Sequence, residues 1–499
     1  MRAAIILLFA AGFTGRAATY YVDAKEGRDS NSGTSVSTAW KTLAKVNATA
    51  FQPGDRILFK SGCVWNGQLV LKTSGSDSNP IQVGRYGAGT RPKLDGEGKV
   101  EDVIRLYNVE KIEIRNLELT NHGAAAAVRR GVHIFADNFG TAHHIVISGL
   151  YIHDVNGTNG EGDKGKDNGG IIFRTMGDKV PSRFDGLLIE RNFIRSVDRS
   201  AIAAESFHAM RTHWFPSVHV IIRDNLVDDV GGDGIVPWAT EGVLVEHNIA
   251  RHCNRRAGSY NAGIWPWSTD DSLFQLNEAS LTHTTLDGEG FDSDYNSRNT
   301  LFQYNYSHDN EGGFMLICTP GERKQEENIG NLGTVIRYNI SRNDHTRAFN
   351  LSAAEHTIVH DNFIYVGPGI QMQILAATNW SGWAKDAVFW ANTFWVSGTA
   401  SYGHEVQRNK DGTYELAPGW GNAAGIVFNA NRYIGPNRDK PEDLEAVIEQ
   451  SGTPPNLDWE GPAFDPQDPE QFSAFMDAHR AWMLRLFEQQ FGRPVKLGR

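Results

Sequence analysis

A short apolar run that ends in asparagine recurs nine times along this sequence, and no other feature restricts its fold as strongly. From Asn192 onward the interval between these asparagines ranges from 23 residues (Asn225 to Asn248) to 34 (Asn305 to Asn339). The wider interval after Asn116 has room for one more copy, through residues 145–149. Insertions of varied length added to a minimum repeat are typical of a solenoid. The runs are residues 112–116, 188–192, 220–225, 244–248, 273–277, 301–305, 335–339, 358–362 and 388–392.

Apolar and polar residues alternate with a period of two in these runs, which indicates strands rather than helices. Parallel strands that stack coil upon coil form a parallel β-helix, and we predict an all-β chain of this architecture. Asparagine suits the repeated corner because its side chain stacks on the next one and because it tolerates the left-handed backbone of a tight turn.

The N-terminal part of the chain departs from the repeat. Residues 1–17 have the pattern of a secretory signal, with a positive residue, an apolar run and a small-residue cleavage site. Residues 19–100 hold strand patterns at 19–22 and 56–60 on either side of a helical spacing at 39–46. We assign this segment to an N-terminal cap and the first coils, and we expect an exported protein, secreted or periplasmic.

The C-terminal part also departs from the repeat. We assign residues 101–435 to the β-helix catalytic domain and 436–499 to a C-terminal helical cap or strap. Helical spacing is predicted at 441–448 and at 469–491, which favours an end cap over a binding module. One face of the second helix carries Phe472, Phe475, Met476, His479 and Met483.

Charge and cysteine content exclude several partner classes. The formal net charge is −11, so nucleic acid and anionic membranes are poor partners, and we expect a monomer. Three cysteines, Cys63, Cys253 and Cys318, leave at least one free thiol and show no CxxC metal spacing. Cys318 falls in a strand pattern, where it is predicted to be a small buried hydrophobe.

A second family of strands precedes the asparagine runs, and its second residue is apolar in every copy. Alternation then turns the third and fifth residues outward. The predicted core stack is Ile171, Ile202, Ile235, Ile264, Phe291, Phe314 and Phe349. The outer columns are Ile172, Ala203, Val236, Trp265, Asp292, Met315 and Asn350, and Arg174, Glu205, Trp238, Trp267, Asp294, Ile317 and Ser352. Because coils stack at roughly 4.8 Å, Trp265, Trp267, Asp292 and Asp294 should form one patch.

This patch combines the residue types that glycoside cleavage needs. Exposed aspartates are unfavourable in strands, so two of them beside tryptophans suggest function. One carboxyl group protonates the leaving oxygen while another attacks the anomeric carbon or activates water, and close acids raise one another's pKa. We predict Asp292 and Asp294 as the catalytic pair, with Glu289 or Glu311 as the partner acid.

The surrounding groove is predicted to bind the sugar, because tryptophan faces stack on sugar rings. A simple ion pair for Arg174 with Glu205, and a structural pair of His308 with Asp309, are the alternatives at those positions. The acids could also form a surface ladder or a calcium site, although the EF-hand spacing is missing. No metal or other cofactor is required by the sequence. The predicted substrate-binding residues are Trp265, Trp267, Trp238, Glu205, Arg174, Asp233, Asp270 and His308.

Two other functions remain open at this point. A polysaccharide lyase would need a base and neutralisation of a uronate carboxylate, yet the only lysine between residues 201 and 350 is Lys324. This favours a hydrolase that cleaves a plant, algal or host glycan. A non-catalytic carbohydrate-binding solenoid would use the tryptophans without the carboxylates.

The sequence resembles the right-handed parallel β-helix carbohydrate enzymes of the pectate-lyase-like superfamily. The opening YYVDAKEGRDSNSGTS, with AWKTLAKVN and FQPGDRILFKSG after it, is similar to their N-terminal cap and first coil. The block from GIWPWSTDDS to SHDNEGGFML is similar to glycoside hydrolases of the family that contains α-L-fucosidases and xylanases. This resemblance implies an acidic catalytic centre in a groove at Asp292 and Asp294, with Glu311 close by. The fold hosts both lyases and hydrolases, so the fold alone does not distinguish these two activities.

Overall fold

A computed structural model describes residues 17–499 except 161–165, 258–259, 285, 320–323, 325, 379–381, 383, 403–405, 409–413 and 417–424. The predicted secretory signal, residues 1–17, therefore lies outside the described residues apart from its last position. Two helices, α1 (Leu43–Asn47) and α2 (Pro469–Phe491), accompany many short strands. Neither helix is long and apolar enough to cross a membrane.

The strands are as follows. The first part of the chain holds β1 Thr19–Val22, β2 Arg56–Lys60, β3 Val64–Asn66, β4 Leu69–Leu71, β5 Ile81–Tyr86, β6 Lys93–Asp95, β7 Asp102–Tyr107, β8 Ile112–Arg115, β9 Glu118–Asn121, β10 Arg130–Asp137, β11 Thr141–Ser148, β12 Tyr151–Val155, β13 Gly169–Met176, β14 Arg183–Glu190, β15 Phe193–Val197 and β16 Ser200–Ser206. The middle part holds β17 Ser217–Val218, β18 Ile221–Arg223, β19 Leu226–Val230, β20 Ile235–Val236, β21 Trp238–Glu241, β22 Leu244–Glu246, β23 Ile249–Arg251, β24 Trp267–Asp270, β25 Leu273–Gln275, β26 Glu278–Ser280, β27 Glu289–Ser293, β28 Ser297–Arg298, β29 Leu301–Gln303, β30 Tyr306–His308, β31 Gly313–Cys318 and β32 Asn331–Leu332. The last part holds β33 Val335–Arg337, β34 Ile340–Arg342, β35 Thr346–Ser352, β36 Ile358–His360, β37 Phe363–Val366, β38 Gln371–Thr378, β39 Ala387–Trp390, β40 Thr393–Val396, β41 Thr399–Ser401, β42 Val406–Arg408, β43 Tyr414–Leu416, β44 Ile426–Asn429, β45 Arg432–Ile434, β46 Asn437–Arg438 and β47 Val447–Glu449.

These strands form three long sheets in a right-handed parallel β-helix, which confirms the predicted fold class. Sheet A has 19 strands and sheet B has 14. Sheet C consists of runs of six and eight strands, joined where Ile264 bridges Ile235 and Phe291. Within the described residues these strands pair in parallel, except in the hairpin of β42 and β43, and Ser76 and Asn79 form an isolated antiparallel bridge. One apolar core fills the space between the sheets, and α1 adds Leu43 and Val46 to it.

The repeated asparagines form a buried ladder along one corner. The side-chain oxygen of Asn225 accepts hydrogen bonds from the backbone N–H and from Nδ2 of Asn192, both at 3.0 Å. Nδ2 of Asn192 also donates to the carbonyl of Ile147, on the preceding coil. Since a buried polar group is costly unless it is paired, the ladder satisfies each amide and fixes the register of the coils. The same pattern joins Asn225, Asn248, Asn277, Asn305, Asn339, Asn362, Asn392 and Asn431.

The left-handed backbone at this corner lies one residue earlier than we predicted. The positive φ angles belong to the residues that precede the ladder asparagines, such as Arg191 (52°), Asp224 (55°) and His247 (51°). Asn116, outside the ladder, is the exception with φ of 57°. Asparagine therefore serves the corner through its side-chain hydrogen bonds, not through tolerance of that backbone conformation.

Helix α2 confirms the predicted C-terminal helix. It begins after Asp468, whose carboxylate accepts hydrogen bonds from the backbone N–H groups of Glu470 and Gln471, and it ends at the left-handed Gly492. The five residues predicted to share a face are all buried against sheet B; four of them belong to two apolar clusters, and His479 contacts Glu278 of β26 instead. The helix thus covers the outer surface of that sheet.

The predicted helix at 441–448 is wrong. This segment continues the solenoid, because β47 pairs with β45 and Asp443 bridges Phe428. The carboxylate of Asp443 accepts from Nδ2 of Asn431 at 2.8 Å and so ends the asparagine ladder. The buried amide of Asn431, the last in the ladder, needs this hydrogen bond to Asp443, and that need outweighs the helical spacing of the sequence.

Candidate active site

The stretch DGEGFDSD enters sheet C as β27, beside the tryptophans of the preceding coil. The backbone N–H of Asp292 lies 3.4 Å from the carbonyl of Ile264, and that of Asp294 lies 3.3 Å from the carbonyl of Pro266. Asp292 and Asp294 therefore lie next to Trp265 and Trp267, as the alternation predicted.

The next coil has a different register from the predicted one. Phe291 pairs with Met315 rather than Phe314, and Ser293 pairs with Ile317. Met315 and Ile317 belong to the core, so their predicted place in the outer columns is wrong. The outer neighbours of the two aspartates are instead Leu316 and Cys318.

Asp292, Asp294 and Cys318 are packed closely together. Their carboxylate oxygens and sulfur lie within 4.8 Å of one another. Asp292 is 4% exposed, and its Oδ1 has no hydrogen-bond partner within the described residues. Burial, with the nearby charges of Asp294 and Asp287, raises the pKa of Asp292 well above its usual range.

Asp287 belongs to the same cluster, although we did not predict it as catalytic. It is partly exposed. Burial and the charges of Glu289 and Asp294 raise its pKa well above the usual range. Its place in the acid-rich stretch was visible in the sequence, but it precedes β27 and so was missing from the strand columns.

Asp294 is the partly exposed acid at the other end of this stretch. Its Oδ1 accepts hydrogen bonds from the backbone N–H of Tyr295 at 2.7 Å and from the thiol of Cys318 at 3.2 Å. Burial raises the pKa of Asp294 to about 6, while these two donors and the Lys166 ammonium oppose the rise. The carboxyl group can therefore be ionised or protonated near neutral pH.

A lysine from an earlier coil also reaches this site. Lys166 Nζ lies 4.3 Å from the ring centroid of Trp265 and 3.3 Å from Asp233 Oδ2. Asp233 in turn accepts a hydrogen bond from Trp265 Nε1 at 2.9 Å. Lys166 lies outside residues 201–350, where the scarcity of lysines was counted against a lyase, so a lysine does reach this site.

The predicted tryptophan platform divides into a buried and a half-buried part. Trp265 is 6% exposed and packs in a small outer cluster with Ile172 and Val236. Trp238 and Trp267 are half-buried and pack edge-to-face, with ring centroids 4.5 Å apart. Tyr295 extends this row at 5.8 Å from Trp267. Trp238, Trp267 and Tyr295 thus form an aromatic wall beside Asp294.

The two predicted partner acids occupy different surroundings. Glu289 is fully buried, and Arg347 Nε lies 2.9 Å from its Oε1. Glu311 is half-exposed, and its carboxylate is bound by His283 Nδ1 at 3.0 Å and by the backbone N–H of Thr284 at 2.7 Å. It lines an open cavity of about 410 Å³ with His345, Thr346, Gly369 and Gln371.

Arg174 and Glu205 form the ion pair that was the alternative for these residues, with Nε and Oε2 3.0 Å apart on sheet C. Asp270 has no exposed surface, and Arg211 binds both of its oxygens at 2.7 and 2.9 Å. A substrate would have to displace that arginine to reach Asp270.

His308 lies on sheet B, which α2 covers, and not on sheet C. Its ring nitrogens contact Asp309 at 2.8 Å and Glu278 at 3.4 Å. This is the structural pairing that was the alternative for His308.

The structure offers one group of side chains close enough to hold a metal ion, within the residues it describes. That group is Asp292, Asp294 and Cys318. Calcium prefers six to eight oxygen ligands, which two carboxylates and a thiol do not provide. The acids are better matched to proton transfer, since crowded carboxyl groups favour the protonated form.

The comparisons with known proteins point to glycosidases. No protein-family model matches the chain. A lacto-N-biosidase from Bifidobacterium longum subsp. longum is 30% identical over 458 residues, covering 72% of this chain. The chain spans 28% of the length of that curated relative.

Solved structures give a consistent result. The GH136 lacto-N-biosidase from Eubacterium ramulus superposes with a TM-score of 0.64 and 28% identity, covering 75% of this chain and 67% of that one. A XylC complex with xylose superposes with a TM-score of 0.50, covering 87% and 86% of the two chains. At 12% identity, this similarity supports a shared fold and not a shared function. The structures that this chain resembles are thus parallel β-helix carbohydrate-active enzymes, and the two lacto-N-biosidases favour the predicted hydrolase over a lyase.

Proposed function

We propose that this protein is a glycoside hydrolase whose catalytic acids lie in the cluster of Asp287, Asp292 and Asp294. The observation that carries the proposal is that carboxyl groups with raised pKa values crowd together beside an aromatic wall on the outer face of sheet C. Perturbed carboxyl groups next to a surface suited to sugar stacking are what acid–base cleavage of a glycosidic bond requires.

The two partly exposed acids have different roles in this proposal. Asp287, whose pKa is held well above its usual range, stays protonated near neutral pH and donates a proton to the leaving oxygen. Asp294, with a pKa of about 6, is ionised above that pH and acts on the anomeric carbon or on water. This yields a bell-shaped pH profile, with the acidic limb set by Asp294.

The buried acids support that pair rather than contact the sugar. Asp292 is almost inaccessible, and burial with the charges of Asp294 and Asp287 keeps it protonated. Glu289 is fully buried beside Arg347 and adds to the field at Asp287. Glu311 lies at the edge of the open cavity, where it can bind a sugar hydroxyl instead of serving as the acid.

For the substrate we propose a host-type oligosaccharide that contains lacto-N-biose. Its support is the similarity to the two lacto-N-biosidases, which act on that disaccharide by their names. The narrower resemblance to α-L-fucosidases and xylanases finds no support in the same comparisons. We also propose that the protein is an exported monomer. We expect it to need no cofactor and to bind neither nucleic acid nor membrane.

The decisive experiment is digestion of a glycan panel by the wild type, Asp294→Asn and Asp287→Asn, with products read by mass and ultraviolet absorbance. The panel contains lacto-N-biose-terminated, fucosylated, xylan and uronate-containing glycans. We expect the wild type to release a disaccharide with one water added across the cleaved bond. We expect neither variant to release it. An unsaturated uronate product would mean a lyase, and binding without turnover would mean a carbohydrate-binding solenoid.

A further inference from the structure

Cys318 lies against the acid cluster but has no part in the proposed chemistry. Cys318 is 3% exposed, yet it is not a member of the apolar core that holds the other two cysteines, Cys63 and Cys253. It comes one step after Ile317, which pairs with Ser293, so the register of β31 brings it beside Asp294. The predicted view of Cys318 as a small buried hydrophobe therefore accounts for its burial but not for its neighbour.

The contacts of Asp294 are all on one oxygen. Both of its hydrogen bonds, from Tyr295 N–H and from Cys318 Sγ, end on Oδ1. Oδ2 has no hydrogen-bond donor in the part of the chain that the structure describes. A carboxylate bound through one oxygen has its other oxygen in a fixed direction, which a reacting group requires.

We propose that Cys318 is a positioning residue of the active site, whose thiol donates a hydrogen bond to Oδ1 of Asp294 and leaves Oδ2 as the reacting oxygen. This rests on the proposed hydrolase function of Asp294. Burial and the charges of Asp294 and Asp292 hold the pKa of the thiol well above its usual range. The thiol therefore keeps its proton over the working pH range and acts as a donor, not as a nucleophile.

Several charged or titratable groups face Asp294 in addition to Cys318. The charges among them contribute to the pH at which Asp294 titrates. Asp287 and Asp292 lie on its own stretch, while Asp233 and Lys166 come from earlier coils. Burial and the charge of Asp233 favour a protonated Asp294, whereas Lys166 and the two hydrogen-bond donors favour the carboxylate. Removal of one donor must therefore raise the pKa of Asp294.

The test replaces Cys318 by alanine and by serine. In Cys318→Ala the acidic limb of kcat/KM should move to higher pH by about half a unit or more. Its kcat should fall about three- to tenfold, while KM changes little. Cys318→Ser keeps a donor and should restore the wild-type limb. The matched control is Cys63→Ala, because Cys63 is also a buried thiol near a carboxylate, 3.8 Å from Asp23 Oδ1. That control should alter stability and leave the limb unchanged.

A second measurement does not depend on activity. The S–H stretching band that disappears in Cys318→Ala should move to higher frequency in Asp294→Ala, which removes the acceptor. It should also move as the wild type is acidified from pH 7.5 to 4.5, across the titration of Asp294.

The two readouts separate this proposal from the proposed function. An unmoved band, or a pH limb in Cys318→Ala that matches Cys63→Ala, would overturn the role of Cys318. A band that responds in a protein without glycosidase activity would instead support the hydrogen bond and overturn the hydrolase.

Discussion

The ammonium group of Lys166 lies over the indole ring of Trp265, with Nζ 4.3 Å from the ring centroid. The same Nζ is 3.3 Å from the fully buried Asp233, which holds the indole N–H at 2.9 Å. A cation from the loop before β13 thus faces a cluster of acids that begins more than a hundred residues later. Its field favours the ionised form of Asp294 and of the other acids.

Replacement of Lys166 by methionine keeps the length of the side chain and removes its charge. The pKa of Asp294 should rise, so the acidic limb of kcat/KM should shift to higher pH. Activity should therefore fall most at pH values near and below 6, as measured by kcat/KM over a pH series. Lys324→Met is the control, since Lys324 is 70% exposed and pairs with Glu327. An equal loss at every pH would show that Lys166 holds the loop rather than tunes the acids.

The three aspartates should respond differently to replacement by asparagine. Loss of Asp287 or Asp294 removes a group that transfers a proton or attacks, and should lower kcat about 10²- to 10⁴-fold. Asp292 keeps its proton where Asp294 titrates, because its pKa is held well above the usual range, so Asp292→Asn exchanges one neutral group for another and should leave the acidic limb near its wild-type position. Steady-state kinetics over a pH series distinguish these effects. A larger loss in Asp292→Asn than in Asp287→Asn would return the catalytic role to the pair first predicted from the sequence.

The sequence predicts the fold well because one local pattern repeats in every coil. Each ladder asparagine needs the same buried corner, so the spacing of Asn225 and Asn248 already gives the length of a coil. It also predicts that Asp292 lies beside Trp265, since alternation and stacking are properties of any strand in a solenoid.

Other features depend on contacts that no local pattern encodes. Phe314 and Met315 are both apolar and both lie in the core, so the sequence does not decide which of them pairs with Phe291, and the register of β31 gives Met315 that place. Lys166 and Arg211 reach their partners from long insertions whose paths the repeat does not determine. Hence the place of Cys318 next to Asp294, and the burial of Asp270 under Arg211, became visible only in the structure.

The asparagine ladder should be a major source of stability. Asn277→Ala removes the hydrogen bonds that Nδ2 donates to Asn305 Oδ1 and to the carbonyl of Val245, and the two that Oδ1 accepts from Asn248, all buried. Each unsatisfied buried group costs about 1–3 kcal/mol, so the free energy of unfolding should fall by about 3 kcal/mol or more. Chemical denaturation measures the loss. Asn79→Ala, at an exposed turn, is the control and should change stability little. A loss in Asn277→Ala no larger than in this control would mean that water replaces the ladder bonds.

A buried chain of hydrogen bonds connects α2 to sheets A and B and should make their docking sensitive to pH. His247 contacts Asp224 at 2.6 Å and His479 of the helix at 3.0 Å, and His479 contacts Glu278 at 2.8 Å. Burial lowers the pKa of His247 to about 4. Burial opposes the charge on His308, but hydrogen bonds with Asp309 and Glu278 raise its pKa to about 9.

These shifts act on stability in opposite directions. An unfolded histidine titrates near pH 6.5, so between about 6.5 and 4 the unfolded chain binds a proton at His247 that the folded chain refuses. The free energy of unfolding must therefore decrease as the pH falls from about 6.5 to about 4. For His308 the folded state binds the proton more tightly, so its contribution is present below about pH 6.5 and is lost as pH rises to about 9. The midpoint of thermal unfolding should therefore be highest near neutral pH.

His247→Gln tests the acidic side of this profile, because glutamine keeps hydrogen-bonding capacity toward Asp224 and His479 but does not titrate. The fall in the thermal midpoint between pH 7 and pH 5 should be smaller in this variant than in the wild type. Hydrogen exchange of the α2 backbone should show the same difference, since the chain of bonds joins that helix to the coils. His219→Gln is the control, as His219 is 79% exposed beside Asp185 and should leave the profile unchanged. Equal pH dependence in wild type and His247→Gln would place the acid sensitivity in the carboxylates of the solenoid instead.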